Sequence, residues 1–286
     1  MTDWKLADWQ LKQRQSLPLE IKERLTAERI KAWYKHWSGD VYVAFSGGKD
    51  STVLLHQVRR LYPDVPAVFL DTGLEFPEIK SFVRETDNVV WMRPNVSFLQ
   101  VIQRWGYPVI SKEVSRCISD IRRGLNIPVG RVLHGRYLPK KWAFLLEAPF
   151  LISEYCCTAL KKLPSYRYEN QTKRKCMLGT LAVDSRLRAR AYYKTGCNNF
   201  ESKRPKSTPL AFWLEQDIWD YIHQHNIPYC SIYDQGEKST GCVFCLFGIM
   251  RDKDRFKRLE NTHPQLHTYC MDKLGVRQVL EFLRIE

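Results

Sequence analysis

Apolar and polar positions alternate in blocks along most of the chain. The run Val41-Tyr-Val-Ala-Phe45 is short, apolar and flanked by glycines, which predicts a buried strand, and residues 52–61 then carry apolar positions at helical spacing. The pair repeats: 67–70 predicts a strand, 77–85 a helix, 88–92 a strand and 97–105 a helix. Such alternation predicts an α/β fold built on an open parallel sheet with helices on both faces. Further along, 111–124 reads as a helix, 131–133 and 176–182 as strands, and 215–225 as an amphipathic helix before Pro228, giving about five strands. Residues 1–39 form a charged helical lead-in with apolar Leu17, Ile21, Leu25 and Ile30, four tryptophans (Trp4, Trp9, Trp33, Trp37) and a stop at Ser38-Gly39. Beyond about Cys230 strand character fades into a loop-rich C-terminal cap with a final helix over 276–283. The expected division is therefore 1–39, 40–229 and 230–286.

At 286 residues the chain can bury a core without disulfides. No window approaches the ~20 apolar residues of a membrane span, and Met1-Thr-Asp-Trp-Lys5 lacks the apolar core of a secretory signal. A cytoplasmic protein with no membrane partner is expected. In that reducing setting nine cysteines are not read as disulfides. The formal charge of +14 suits a polyanionic partner, and equally suits simple solubility. Between residues 161 and 206 thirteen Lys/Arg face three acids, Glu169, Asp184 and Glu201, with Tyr166, Tyr168, Tyr192, Tyr193 and Phe200 interleaved. Cations there could grip phosphates while rings stack on bases; a solvated basic face is the plainer reading.

The hexapeptide Ser46-Gly47-Gly48-Lys49-Asp50-Ser51 follows a strand and opens a helix. Glycines let backbone approach an anion, free N–H groups at a helix start point at it, and Lys49 adds a charge. The spacing differs from a Walker loop. Four cysteines are clustered as Cys156-Cys157 and Cys242-Val-Phe-Cys245. Thiolates bind zinc or iron, but consecutive cysteines diverge and suit separate irons better than one tetrahedral zinc. Structural zinc and four buried bystander thiols stay open as alternatives.

The hexapeptide resembles the pyrophosphate-binding loop of the adenine-nucleotide alpha-hydrolase-like superfamily. Phe69-Leu-Asp-Thr-Gly-Leu-Glu-Phe-Pro-Glu78 is similar to a signature of its phosphoadenosine phosphosulfate (PAPS) reductase branch. Ser111-Lys-Glu, Val183-Asp-Ser-Arg-Leu-Arg-Ala-Arg190 and the stretch from Thr208 to Asp234 extend the likeness over about residues 40–248. The resemblance implies ATP or another adenine nucleotide, with Mg2+, bound over the C-terminal strand edges. Ser46, Gly47, Gly48, Lys49 and Ser51 would cradle phosphates, and Asp50 and Asp71, with Thr72 and Gly73, would serve metal or ribose. Lys49, Asp50, Arg186 and Arg190 are the implied catalytic residues, with Arg186, Arg188 or Arg190 steadying developing negative charge. Cys156-Cys-Thr-Ala-Leu-Lys161 and Thr240-Gly-Cys-Val-Phe-Cys245 resemble segments that hold a [4Fe–4S] cluster in sulfonucleotide reductases, which implies Cys156, Cys157, Cys242 and Cys245 as its ligands beside the nucleotide, with Lys161 compensating charge.

Sulfonucleotide reductases also carry a nucleophilic cysteine in a C-terminal Glu-Cys-Gly motif, and this chain has none; its last cysteine is Cys270. An ATP pyrophosphatase that activates an acceptor for sulfur insertion is similar in logic to the corresponding component of DNA phosphorothioation systems. The leading expectation is activation of a nucleic acid, DNA favoured over RNA, with a cysteine desulfurase or other sulfur donor as partner and a homo-oligomer as one possible assembly. The alternatives are thiol-dependent reduction of PAPS or adenylyl sulfate, and a non-enzymatic, nucleotide- and cluster-dependent sensor or DNA-binding subunit.

Overall fold

The structure, a computed structural model, describes residues 7–130 and 136–285. Trp4 and the strand expected at 131–133 lie outside them. In chain order the elements are α1 (Asp8–Gln15), α2 (Leu19–His36), β1 (Val41–Ala44), α3 (Lys49–Leu61), β2 (Ala67–Leu70), α4 (Pro77–Arg84), β3 (Val89–Met92), α5 (Phe98–Trp105), β4 (Val109–Ile110) and α6 (Lys112–Arg122). There follow α7 (Leu163–Thr172), β5 (Lys175–Leu178), α8 (Arg186–Thr195), β6 (Asn198–Asn199), β7 (Lys206–Ser207), α9 (Glu215–Gln224), β8 (Leu246–Phe247), α10 (Arg255–Thr262), α11 (Pro264–Thr268) and α12 (Val276–Leu283). The chain divides into two compact units, one of residues 1–70, 76–92 and 165–240, the other of 71–75, 93–164 and 241–286.

The first unit is an α/β layer structure on a six-stranded sheet of order β3-β2-β1-β5-β7-β6. Every pairing is parallel except β6 with β7. The sheet exceeds the expected five strands because β6 and β7 are two residues each, too short to leave a period in the sequence. β1 is central, pairing Val43 with Ala67 on one side and with Met177 on the other. Strand alternation sends Tyr42, Val68 and Cys176 to one face, where Tyr168 of α7 packs on them. Val43, Ala67, Phe69 and Met177 are buried on the opposite face, and α3, itself packed by α2 and α9, lies against β1. The buried face of α2 is Lys22, Thr26, Ile30 and Trp33; of the expected apolar positions Leu17, Ile21, Leu25 and Ile30, only Ile30 is fully buried. Each polar member has a partner: Lys22 Nζ contacts both carboxylate oxygens of Asp217 at 2.7 and 2.6 Å, and Trp213 Nε1 donates to Thr26 Oγ1 at 2.9 Å.

In the second unit β4 and β8 pair in parallel through Val109–Leu246 and Ile110–Phe247. The Arg122 guanidinium donates to the carbonyls of Leu145, Leu146, Ala148 and Phe150 at 2.6–3.1 Å, fixing that turn. The C-terminal region of this unit runs as loop to residue 254 apart from the short strand β8, and the final helix expected over 276–283 is present as α12; α10 and α11 precede it, and the three helices bury Phe256, Leu259, Val276, Val279 and Leu283. Helices α10 and α11, of eight and five residues, fall below the window over which helical periodicity is legible. Among the described residues no helix is long and apolar enough to cross a membrane.

Candidate functional site

In the first unit the chain leaves β1, turns through residues 45–48 and enters α3 at Lys49. Gly47 has φ +70°, and a Cβ there would sit 3.0 Å from Ile79 Cγ2. A Cβ on Gly48 would strike Thr240 Oγ1 and lie 3.2 Å from Tyr233 Oη. Hydroxyls brace the turn: Ser51 Oγ donates to Gly48 O at 2.8 Å, Thr52 Oγ1 to the same carbonyl at 3.1 Å, and Gly48 N–H donates to Ser46 Oγ at 3.3 Å. Lys49 N–H donates to Tyr233 Oη at 2.9 Å. The result is a rigid N-terminal turn on a 13-residue helix, where orphan N–H groups and the helix dipole favour an anion.

Lys49 is buried, its Nζ 3.2 Å from Glu215 and 3.7 Å from Asp50. Burial opposes its charge, but Asp50, Tyr233 and Glu215 outweigh that and hold its pKa above the ordinary lysine value. Burial likewise pushes the Asp50 carboxyl up; Lys49 and Arg188 act against that, and Asp184 and Glu215 with it. Asp50 Oδ1 is buried with no hydrogen-bond partner among the described residues. A carboxylate oxygen that accepts no hydrogen bond and has only the Lys49 ammonium at 3.7 Å, beside an anion-binding turn, suits a cation arriving with phosphates. Gly179, at the end of β5, comes so close that a Cβ would lie 2.6 Å from Asp50 O and 2.9 Å from Ser51 Cα. Gly179, Glu215, Tyr233 and Thr240 were given no role in the sequence reading. The last three stand inside stretches that carry the resemblance, but no chemical motif marks any of the four.

Of the three arginines around residue 188, Arg188, itself 46% exposed, pairs with Asp184 and is electrostatically coupled to Asp50. Arg186 and Arg190 lie on the exposed face of α8. The basic stretch does not form one stacking surface. Tyr168 and Tyr192 are buried, Phe200 stacks on Trp33 at 5.1 Å, and Arg204 covers the Tyr166 ring at 3.3 Å. These rings pack the protein rather than offering themselves to bases.

In the second unit Asp71 and Thr72 are buried and Gly73 takes φ +81°. Asp71 Oδ1 accepts from Gly73 N–H at 3.2 Å and Oδ2 from Arg93 Nε at 3.2 Å. Glu75 accepts from Thr72 N–H at 3.0 Å and from its hydroxyl at 2.6 Å. Asp71 is thus a turn-forming, ion-paired carboxylate and not a helix cap; the residue preceding α4 is Phe76.

Cys156 and Cys157, their sulfurs 3.9 Å apart, stand before a π-helical turn at Thr158–Lys162 that carries Lys161. Cys242 and Cys245 close a turn through Cys245 N–H to Cys242 O at 3.0 Å. Arg255, unremarked in the sequence, clamps that turn by donating to Cys245 O at 2.6 Å and Cys242 O at 3.3 Å. The four thiols and two lysines form one electrostatic group. Cys157 is drawn below the ordinary thiol range, first by the hydrogen bond from Cys156 and, against burial, by Lys112 and Lys161. Cys156 rises correspondingly through that hydrogen bond, burial and the neighbouring sulfurs. Lys161 is held above its ordinary value by Cys242 and, despite burial, by Cys157 and Glu75. Among the described residues no three His, Cys, Asp or Glu side chains lie close enough to hold one metal ion. A [4Fe–4S]2+ core with four thiolates carries net −2, which two lysines balance, so the donor set and its charge fit such a cluster. The remaining cysteines, Cys117, Cys176, Cys197, Cys230 and Cys270, are all buried. Burial raises each thiol, Cys270 to about 12.

The sequence profile of the phosphoadenosine phosphosulfate reductase domain matches residues 40–104 and 132–246. An adenosine 5'-phosphosulfate reductase from Anoxybacillus flavithermus is 23% identical over 270 residues, spanning 91% of this chain and 97% of that protein. The crystal structure of a PAPS reductase from Candida auris, in a phosphate complex, aligns at TM-score 0.47 and 17% identity over 79% of this chain and 96% of the other. The U34-tRNA thiolase NcsA from Methanococcus maripaludis, with its [4Fe–4S] cluster, aligns at TM-score 0.43 and 16% identity over 92% and 80%.

Proposed function

The chain belongs to the phosphoadenosine phosphosulfate reductase domain family, and from that premise we propose that it is a cluster-containing ATP pyrophosphatase that activates DNA for sulfur insertion. The observation that carries this choice within the family is the state of its thiols. Every cysteine outside the Cys156, Cys157, Cys242 and Cys245 group is buried with a raised pKa, so none is suited to attack a sulfonucleotide as a thiolate. The phosphate loop, by contrast, has each part that nucleotide activation needs.

In this reading the N–H groups at the start of α3 and the hydroxyls of Ser46 and Ser51 bind the phosphates of ATP. Lys49, charged throughout the neutral range, offsets negative charge as pyrophosphate departs. Asp50 would hold the Mg2+ that accompanies the nucleotide, its buried Oδ1 accepting no hydrogen bond among the described residues and lying 3.7 Å from Lys49 Nζ. Arg188, kept in place by Asp184, would steady the charge on the α-phosphate. An acceptor oxygen attacks the α-phosphorus, the bond to pyrophosphate breaks, and the acceptor becomes adenylated. A persulfide sulfur then attacks the activated acceptor and AMP leaves; an external thiol reduces the resulting disulfide to free the carrier. Cys156, Cys157, Cys242 and Cys245 would hold the [4Fe–4S] cluster, with Lys112 and Lys161 balancing its charge. Such a cluster supplies redox and electrostatic chemistry.

The similarity to adenosine 5'-phosphosulfate reductases favours a second reading, reduction of a sulfonucleotide with the thiol supplied by another protein. Anaerobically purified protein offered ATP, adenylyl sulfate and PAPS in parallel separates the two. Pyrophosphate from ATP, abolished by Lys49→Ala, with no sulfite, is the expected result. Sulfite from either sulfonucleotide, without pyrophosphate, would overturn it.

A further inference from the structure

Helix α8 has two unlike sides. On the inner side Tyr192 is buried and Arg188, with Thr180, Cys197 and Thr208, lines a cavity of about 180 Å³. On the outer side Arg186, Arg190 and Lys194 recur every fourth residue, all exposed, with no side-chain partner among the described residues. Beside that ridge stand Val183 and Leu187, 47% and 70% exposed. Nothing in the stability of the isolated helix accounts for this face. Like charges four apart repel by a few tenths of a kcal/mol, and Arg186 occupies the first turn, where the helix dipole disfavours a cation. Of the acids at this helix, Asp184 is taken by Arg188 on the other side and Asp8 by Lys12 and the Tyr193 hydroxyl. A polyanion laid along the ridge would turn each of these penalties into a favourable term.

The geometry narrows the polyanion. Four helical residues rise about 6 Å, comparable with the separation of successive phosphates along one nucleic-acid strand. Leu187 projects beside the cations, where it can meet only sugar or base surface, and duplex stacking hides the base faces. We propose that the outer face of α8 carries a single strand of DNA, its phosphates on Arg186, Arg190 and Lys194 and its apolar surface on Leu187. The inference rests on the nucleic-acid reading above and adds where the acceptor docks.

The test is fluorescence anisotropy of a labelled single-stranded DNA oligonucleotide titrated with the full chain over a range of salt, beside RNA of the same sequence and duplex DNA. The triple variant Arg186→Gln, Arg190→Gln, Lys194→Gln should lower the slope of log affinity against log salt by about two, from three phosphates at ~0.7 each. It should also weaken binding at least about tenfold at low salt, with an unfolding midpoint no lower than that of the wild type. Leu187→Ser should weaken binding without changing the slope. A wild-type protein that binds DNA while the triple variant binds it identically would overturn the α8 assignment alone. Tighter binding of RNA or of duplex would overturn the choice of strand. No binding of any nucleic acid by the wild type would overturn the acceptor reading itself.

Discussion

Gly179 joins the sheet to the phosphate loop through bare backbone: the space a Cβ would need holds the Asp50 carbonyl and Ser51 Cα. Backbone atoms cannot rotate away as side chains do. Gly179→Ala should therefore push the end of β5 from the first turn of α3, with a stability loss of about 1–3 kcal/mol. ATP affinity should fall about tenfold or more, read by equilibrium binding; unchanged affinity would mean that the loop tolerates displacement. At the cysteine group the decisive single residue is Lys161, whose charge is held up by Cys242 and Cys157. Lys161→Gln removes one of two balancing cations, so a reconstituted cluster should show a more negative reduction potential. An unchanged potential would remove Lys161 from the cluster's surroundings. The phosphate loop and the four cysteines were legible in the sequence because glycine and thiol chemistry is local. Gly179, Glu215 and Arg255 were not, because their roles arise only from contacts made across the fold.

Helices α2, α3 and α9 meet in a polar seam that periodicity could not reveal. Spacing pointed to Leu17, Ile21, Leu25 and Ile30, whereas the buried face of α2 holds Ile30 beside Lys22 and Thr26; a buried cation is disguised until its partner Asp217 is in view. In the same seam His56 Nδ1 lies 2.9 Å from Tyr221 Oη, with Arg60 and His225 nearby and Glu23 within 3.6 Å of both of these. Burial, then Arg60 and His225, lower the His56 pKa. The unfolded chain therefore takes up this proton first on acidification, and stability present above about pH 6.5 is lost as pH falls. His56→Gln should flatten the stability profile between about pH 7.5 and 5.5 in denaturant unfolding; an equally steep profile would assign the acid sensitivity elsewhere. The same limit of periodicity explains the sheet. Four-residue strands β1, β2 and β3 and the final helix α12 were readable, whereas the two-residue β6 and β7 and the short helices α10 and α11 were not.

At the scale of the whole molecule, family membership and the α/β architecture follow from matches spread over most of the chain, while the reaction depends on a few groups. The net charge of +14 suggested a polyanion but not where it binds. Folding consumes much of the basic stretch: Lys161 faces thiols, Arg204 covers Tyr166 and Arg188 pairs with Asp184. Among the cations that stay exposed, Arg186, Arg190 and Lys194 are the ones aligned on one helix face. The account joins a phosphate loop with a charged lysine, a balanced four-thiol group and otherwise buried cysteines into ATP-driven sulfur insertion. Its most direct test uses anaerobically reconstituted protein with ATP, single-stranded DNA, a cysteine desulfurase, radiolabelled cysteine and a thiol reductant. The predicted result is label transferred to DNA only when ATP is present, with AMP and pyrophosphate released in step with it. ATP-independent labelling, or no label in DNA from a preparation that releases sulfite from a sulfonucleotide, would contradict the account.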